Sequence, residues 1–179
     1  MDILKGIRPV DYVVTAVLVA LAALLGVVNV TVGSDADLAH GLDSQSPLIV
    51  PMFMLAALPV LWRRRGVLAA VGASFVVVAA SVPAFGWVIR CGFALPLSIV
   101  LAYAVARYAG GRQNQIFGLM GILAIQVVTL IKDASTGGLR ALALSVPLAA
   151  LVYGIGLFVQ SKSTNNVERP TLDAERVYA

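Results

Sequence analysis

Candidate metal ligands are concentrated in one polar stretch, GSDADLAHGLDSQSP, which begins at residue 33. The stretch holds His40, the single histidine of the chain, together with Asp35, Asp37 and Asp43. One imidazole and three carboxylates could bind a divalent metal ion at a surface. The simpler interpretation is a solvated loop, because short acidic side chains in a turn need no ligand. We therefore expect no metal and no cofactor.

A second group of polar residues lies next to apolar segments in the later part of the chain. It consists of Trp87, Arg90, Lys132, Asp133 and Arg140. These residues could form a shallow, outward-facing polar site, and simple anchoring at a membrane interface is the alternative. Catalytic chemistry is not indicated, since no histidine is placed to activate a serine and the single cysteine can form no internal disulfide. We expect a protein without enzymatic activity.

The composition places these residues in a membrane protein. Of the 179 residues, 60% are hydrophobic and 12% are charged, whereas a soluble domain carries about a quarter charged residues. The mean hydropathy is +0.93, and the apolar stretches approach the roughly 20 residues that a membrane-spanning helix needs. The net charge of +4 is then better explained by membrane orientation and anionic headgroups than by binding of nucleic acid.

Breaks in the apolar pattern predict an all-α, polytopic bundle of six transmembrane helices with both termini in the cytoplasm. The six apolar segments cover about residues 11–32, 47–62, 66–86, 91–106, 116–131 and 139–159. Residues 1–160 would form the transmembrane domain. Residues 161–179 would form a polar cytoplasmic tail, for which disorder is the expected state.

Polar and small residues inside these segments indicate helix packing rather than a transport pathway. We expect no acidic or basic residue within the spans, which argues against a transporter coupled to protons or cations. The mildly polar residues are Asn29, Ser74, Ser81, Ser98, Gln126, Thr129 and Ser145. The small residues that would let helices approach closely include Ala16, Ala20, Ala69, Ala73, Gly118 and Gly121.

Basic residues indicate the orientation, because lysine and arginine favour cytoplasmic loops. With a cytoplasmic N-terminus, the outer segments hold only Arg90, Lys132 and Arg140. The inner segments hold Lys5, Arg8, Arg63, Arg64, Arg65, Arg107, Arg112, Lys162, Arg169 and Arg176. The arginine triplet is predicted to form a tight hairpin anchored at the headgroups, with Trp62 at the interface. Arg107 and Arg112 would anchor the next inner loop.

Three motifs resemble the N-terminal membrane domain of bacterial sensor histidine kinases that have a multi-helix membrane sensor. The start of the first helix carries Arg8, Pro9, Asp11 and Tyr12. The hairpin carries Leu58, Pro59, Trp62, Arg63, Arg64 and Arg65. The end of the fourth helix carries Tyr103, Val105, Ala106 and Arg107. The chain departs from the family pattern at Gly66 and Val67, where Val67 takes the place of the usual proline.

The resemblance implies a sensor or accessory module of the bacterial cytoplasmic membrane that relays a membrane or small-ligand signal to a partner protein. The segment after Val159 has no histidine and no glycine-rich ATP lid, so we expect no kinase activity from this chain. The expected partners are the bilayer, another protein or a second copy of the chain. A small transporter, channel or exporter accessory subunit is the alternative, which a solvent-lined path would favour.

Overall fold

The computed structural model describes residues 7–32, 38–135 and 138–177, with side chains up to Lys162. In these ranges the regular elements are helices, which confirms the all-α prediction. The α-helices are α1 (Pro9–Thr31), α2 (Ile49–Ala57), α3 (Val67–Phe85), α4 (Cys91–Tyr108), α5 (Arg112–Ile131) and α6 (Leu142–Val177). Two short 3-10 segments complete the set: Leu58–Trp62 continues α2, and Gly138–Ala141 leads into α6.

Among the described residues, five helices are long and apolar enough to cross a membrane, which indicates a multi-pass membrane protein. They are α1, α3, α4, α5 and the segment Gly138–Lys162, which comprises the second 3-10 segment and the apolar part of α6. The second apolar element, Ile49–Trp62, is shorter. Large apolar side chains such as Leu24, Val76 and Phe158 are exposed on the outside of the bundle, as expected where lipid rather than water surrounds the helices.

Proline explains the change of geometry inside this second element. Pro59 has no backbone N–H, and its ring clashes with the carbonyl four residues earlier, so an α-helix tends to end just before it. The chain continues as the 3-10 segment Leu58–Trp62, which rises about 2.0 Å per residue instead of about 1.5 Å. The short element therefore reaches further along the bundle than an α-helix of equal length would.

Successive helices alternate in direction, so that their ends meet at two ends of the bundle. The start of α1 lies beside the turn that follows the 3-10 segment, because Asp11 contacts Arg63. The end of α1 lies beside the start of α2, where a Cβ on Gly26 would lie 2.8 Å from the Cα of Val50. We call the end with Asp11 and Arg63 the arginine end, and the opposite end the loop end.

Helix α4 lies at the centre of the bundle, and α6 lies at its edge. Helix α4 contacts α1, α3, α5 and α6, whereas α6 packs mainly on α4. Gly118 and Gly121 allow α5 to approach its neighbours, as predicted. An added Cβ on Gly118 would lie 2.7 Å from Val105 on α4, and one on Gly121 would lie 2.5 Å from Val71 on α3. The alanines that were expected to serve the same purpose are exposed: Ala16, Ala20, Ala69 and Ala73.

The mildly polar residues of the spans face the interior, which confirms their predicted role in packing. Each of them is buried: Asn29, Ser74, Ser81, Ser98, Gln126, Thr129 and Ser145. The side-chain nitrogen of Asn29 donates to the carbonyl of Ile89 at 2.9 Å, and its oxygen accepts from the Ile89 N–H at 2.8 Å. Ser145 donates to Gln126 at 3.4 Å and so joins α6 to α5.

Helix α6 is longer than the sequence predicted. We expected the helix to end near Val159 and a disordered tail to follow, whereas the structure describes a continuous helix as far as Val177. The difference has a simple cause, because the rise in polarity after Val159 marks the end of the apolar stretch and not the end of the helix.

Candidate functional site

One carboxylate binds two arginines at the arginine end. Asp11 Oδ1 accepts hydrogen bonds from Nη2 and Nε of Arg63, at 2.8 and 3.1 Å. Asp11 Oδ2 lies 2.7 Å from Nε of Arg64 and also accepts from the backbone N–H of Arg8 at 3.1 Å. The same carboxylate therefore pairs with the hairpin arginines and caps the first turn of α1, where a negative charge is favourable.

This cluster corrects two predictions from the sequence. The spans were expected to carry no charge, but Asp11 is fully buried within α1. The triplet was expected to reach the headgroups, but Arg63 is only 6% exposed. Burial is tolerated because charge-assisted hydrogen bonds join the two groups. Arg65 is exposed, as an anchor should be.

Arg64 is held between the carboxylate and an aromatic ring. Its guanidinium carbon lies 5.1 Å from the centroid of the Tyr108 ring, a distance at which a cation is attracted to the ring face. The hydrogen bond with Asp11 raises the pKa of Arg64 above its ordinary value. The side chain is half-buried, so the guanidinium is fixed in place while part of it remains accessible.

An open groove of about 430 Å³ adjoins this cluster between α1, α4 and α6. Its polar side is formed by Arg8, Arg63, Arg64, Tyr103, Arg107 and Tyr108. Its apolar side is formed by Val10, Val14, Ile99, Val100 and Val152. The groove thus combines several cations with an apolar wall, an arrangement suited to an amphiphilic anion.

The remaining predicted anchors also lie at this end of the bundle. Trp62 ends the 3-10 segment and is half-buried, and Arg107 is half-buried in the last turn of α4. Arg112 is exposed at the first residue of α5. Of these three residues, Arg107 alone lines the groove.

At the loop end, Asp133 caps the N-terminus of α4. Its Oδ2 accepts from the backbone N–H of Arg90 at 2.7 Å and from that of Cys91. The neighbouring Ala134 donates its backbone N–H to the carbonyl of Val88 at 3.1 Å. These contacts join the segment after α5 to the loop between α3 and α4, and they satisfy N–H groups that a helix start leaves open.

Arg90 turns into the bundle rather than towards the surface. It is 1% exposed, and its guanidinium donates to three carbonyls, those of Ser81, Gly86 and Lys132 at 3.0, 2.8 and 2.7 Å. Burial lowers the pKa of Arg90 to about 10, while the nearby carboxylate of Asp133 opposes this shift. The guanidinium therefore stays charged at neutral pH and crosslinks the end of α3 to the end of α5.

The structure brings the predicted outer-face residues together only in part. Trp87, Asp133 and Arg140 line one open pocket of about 450 Å³. Arg90 does not line this pocket, because its guanidinium is directed to buried carbonyls. Lys132 is exposed and contributes its backbone carbonyl to Arg90. Arg90 and Lys132 therefore belong to the scaffold beside the pocket.

The loop that carries His40 is held against Trp87. The two rings stack with their centroids 4.0 Å apart, and Asp43 Oδ2 accepts from the backbone N–H of Trp87 at 2.9 Å. Asp35 and Asp37, the other candidate metal ligands, lie outside the described residues. Among the described residues, no group of three His, Cys, Asp or Glu side chains could hold a metal ion. His40 and Asp43 thus hold their loop against Trp87.

Sequence reasoning missed the pairing of Asp11 with Arg63, although a signal was present. A carboxylate at the start of an apolar span needs a counter-charge or hydrogen-bond donors. The densest cluster of cations in the chain is the triplet that begins at Arg63. The inference also requires that α1 and α2 be antiparallel neighbours, which their consecutive order favours.

No protein-family model, curated protein or solved structure matches this chain. The likeness to sensor-kinase membrane domains therefore depends on the three motifs alone. The structure brings residues of all three motifs to the arginine end, where Arg8, Arg64 and Arg107 line the same groove. Residues that are far apart in sequence thus form one local site.

Proposed function

We propose that this chain is a non-catalytic sensor or accessory module of the bacterial cytoplasmic membrane, which relays a membrane or small-ligand signal to a partner protein through α6. The observation that carries the proposal is the unbroken course of α6 out of the bundle. The resemblance of three motifs to sensor-kinase membrane domains supports it.

The distance that the second apolar element, Ile49–Trp62, covers along the bundle supports six membrane crossings. This element begins beside Gly26 and ends beside Asp11, and α1 advances about 22 Å between these two residues at about 1.5 Å per residue. The short element covers the same depth as most of α1, in part because its 3-10 segment is stretched. With six crossings, the N-terminus and the exit of α6 share the arginine end. The excess of arginines there favours the cytoplasmic side.

The length of α6 supports a relay. Its 36 residues correspond to about 54 Å, whereas the hydrocarbon core of a bilayer is about 30 Å thick. The helix therefore extends well beyond Lys162, where the apolar segment ends. A continuous helix carries a tilt or slide in the membrane directly to whatever contacts its polar end.

The position of α6 at the edge of the bundle supports movement of this helix rather than of the whole bundle. In the apolar window of α6, 11% of the residues are buried, compared with 50% in α4. Helix α6 approaches α4 closely at Gly156, where an added Cβ would lie 2.6 Å from the Cβ of Ala106. Because α6 packs mainly on α4, a change in bilayer thickness could shift the tilt of α6 by repacking a single main interface.

The interior favours this function over transport. The pocket between α2, α3, α4 and α5 has a volume of about 10 Å³, enough for about one water molecule and no larger solute. It is lined by apolar side chains together with Ser81, Arg90 and Thr129. The larger pockets described above open at the two ends of the bundle. A transporter or channel would need a continuous polar path between those ends.

The proposal is tested by measuring whether α6 moves with bilayer thickness. Spin labels on Gln113→Cys and Ser161→Cys, in a Cys91→Ser background, report the distance from the start of α5 to α6. In phosphatidylcholine bilayers with short and long acyl chains we expect this distance to differ by about 1–2 Å, the size of common helix shifts.

A control pair distinguishes movement of α6 from a general change of the bundle. Labels on Leu68→Cys and Gln113→Cys report the distance between α3 and α5, which pack directly on one another. The α3–α5 distance should stay constant between the two bilayers. A constant α5–α6 distance in both bilayers would contradict the relay.

A further inference from the structure

We propose that the groove at the arginine end binds an anionic phospholipid, with the phosphate on the arginines and an acyl chain along the apolar side. This inference rests on the proposed function only where it gives the lipid a role in positioning α6. The binding itself is argued from charge, shape and location.

The charge of the groove favours a phosphate group. Four arginines line it, and Asp11, the carboxylate beside it, is already bound by Arg63 and Arg64. Among the described residues, the net charge around the groove is therefore positive. Guanidinium groups bind phosphate oxygens through paired N–H donors, which a single ammonium group cannot match.

The guanidinium of Arg64 is held in position before any ligand binds. The carboxylate of Asp11 holds its Nε, and the ring of Tyr108 lies over its guanidinium carbon. A side chain fixed in this way loses little rotamer freedom when a ligand binds, so more of the interaction energy appears as affinity. Arg8 and Arg107 line the same groove and add two further cations.

The apolar side of the groove favours a phospholipid over a free anion. Val14 on α1, Val100 on α4 and Val152 on α6 continue the groove away from the arginines. Inorganic phosphate would leave these valines uncovered, whereas an acyl chain would cover them. Val10, at the edge of the groove, is 57% exposed on the apolar surface of the bundle. The groove is therefore open to the lipid phase.

The location of the groove links lipid binding to α6. Helices α1 and α6 both pack on α4, and the groove lies between them with Val152 on the α6 side. A lipid in the groove contacts both outer helices at once. Binding would therefore restrain the tilt of α6, and the anionic lipid content of the membrane would set the resting position of the relay.

The test is lipid binding to the full chain in detergent, measured by native mass spectrometry with phosphatidylglycerol, phosphatidylcholine and inorganic phosphate as separate probes. We expect the unmodified protein to bind phosphatidylglycerol about tenfold more tightly than phosphatidylcholine. Arg8→Gln with Arg107→Gln should remove this tenfold preference, because it deletes two guanidinium groups that can donate charge-assisted hydrogen bonds to the phosphate. Arg65→Gln with Arg112→Gln removes equal charge outside the groove and should retain the preference.

A second pair of variants tests the acyl-chain contact without changing any charge. Val152→Trp fills the groove and should weaken phosphatidylglycerol binding about tenfold, whereas Leu151→Trp, on the exposed face of α6, should not. Thermal unfolding identifies variants that fail to fold, and the tryptophan pair remains informative if the arginine pair is unstable.

Three outcomes would overturn the lipid site. They are equal affinity of the unmodified protein for the two lipids, equal losses in both arginine double variants, and competition by inorganic phosphate as strong as that by phosphatidylglycerol. The movement of α6 in phosphatidylcholine bilayers needs no anionic lipid, so failure of the lipid site and failure of the relay are separate results.

Discussion

Asp11 Oδ1 lies 2.8 Å from Nη2 of Arg63, and both side chains are buried although 52 residues separate them in the sequence. This pair joins the start of α1 to the turn that follows the 3-10 segment. It closes the arginine end of the bundle and positions Arg64 at the edge of the groove.

Replacing Asp11 with Asn should destabilise the protein by about 3 kcal/mol. The change leaves Arg63 buried without a counter-charge, and removal of one member of a buried pair is strongly destabilising. Thermal unfolding in detergent measures the loss. Arg65→Gln, in the same triplet but exposed, is the control and should change stability by less than about 0.5 kcal/mol.

The double variant Asp11→Asn with Arg63→Gln should recover part of the lost stability, because it removes both buried charges. If Asp11→Asn unfolds at the same temperature as the unmodified protein, the pair does not hold the arginine end together.

The apolar segments of the sequence predicted the helices well because burial in lipid requires long uninterrupted runs. Helix α4 was expected over residues 91–106 and is Cys91–Tyr108, and α3 was expected over residues 66–86 and is Val67–Phe85. The change to 3-10 geometry at Leu58 was not predicted, although Pro59 gave a local reason for it.

The candidate sites were harder to predict, because they depend on contacts between distant segments. Composition alone could not show that Arg63 and Arg90 turn inwards, since the acceptors that bind them come from other parts of the chain. Glycine positions were more informative than alanine positions. Gly118 and Gly121 face other helices, whereas Ala69 is exposed, because alanine is equally compatible with a surface that faces lipid.

Replacing Asp133 with Ala should loosen the loop end by about 2 kcal/mol. The N–H groups of Arg90 and Cys91 lose their acceptor, and a lost helix cap costs about 0.5–2 kcal/mol. Hydrogen exchange should accelerate at these two amides, while amides at the arginine end stay protected. Lys132→Ala, at the exposed neighbour, should leave exchange unchanged. Equal exchange in both variants would show that Asp133 is not the cap.

Replacing Gly156 with Leu should displace α6 from α4. An added Cβ would lie 2.6 Å from the Cβ of Ala106, and overpacking of this kind costs about 1–3 kcal/mol. Gly154→Leu is the matched control, because nothing lies within 4 Å of an added Cβ there. The spin-label distance between residues 113 and 161 should lengthen in the first variant only. A similar distance in both variants would show that Gly156 does not determine the position of α6.

The number of crossings is tested most directly by labelling single cysteines with a membrane-impermeant maleimide in intact cells. In a Cys91→Ser background, Gln45→Cys reports the loop end, Gln113→Cys the arginine end and Ser161→Cys the exit of α6. Six crossings with cytoplasmic termini predict that residue 45 is labelled from outside, and that residues 113 and 161 are labelled only after the cells are permeabilised. Labelling of residues 45, 113 and 161 from the same side would show that the second apolar element does not cross, and would contradict six crossings and a relay into the cytoplasm.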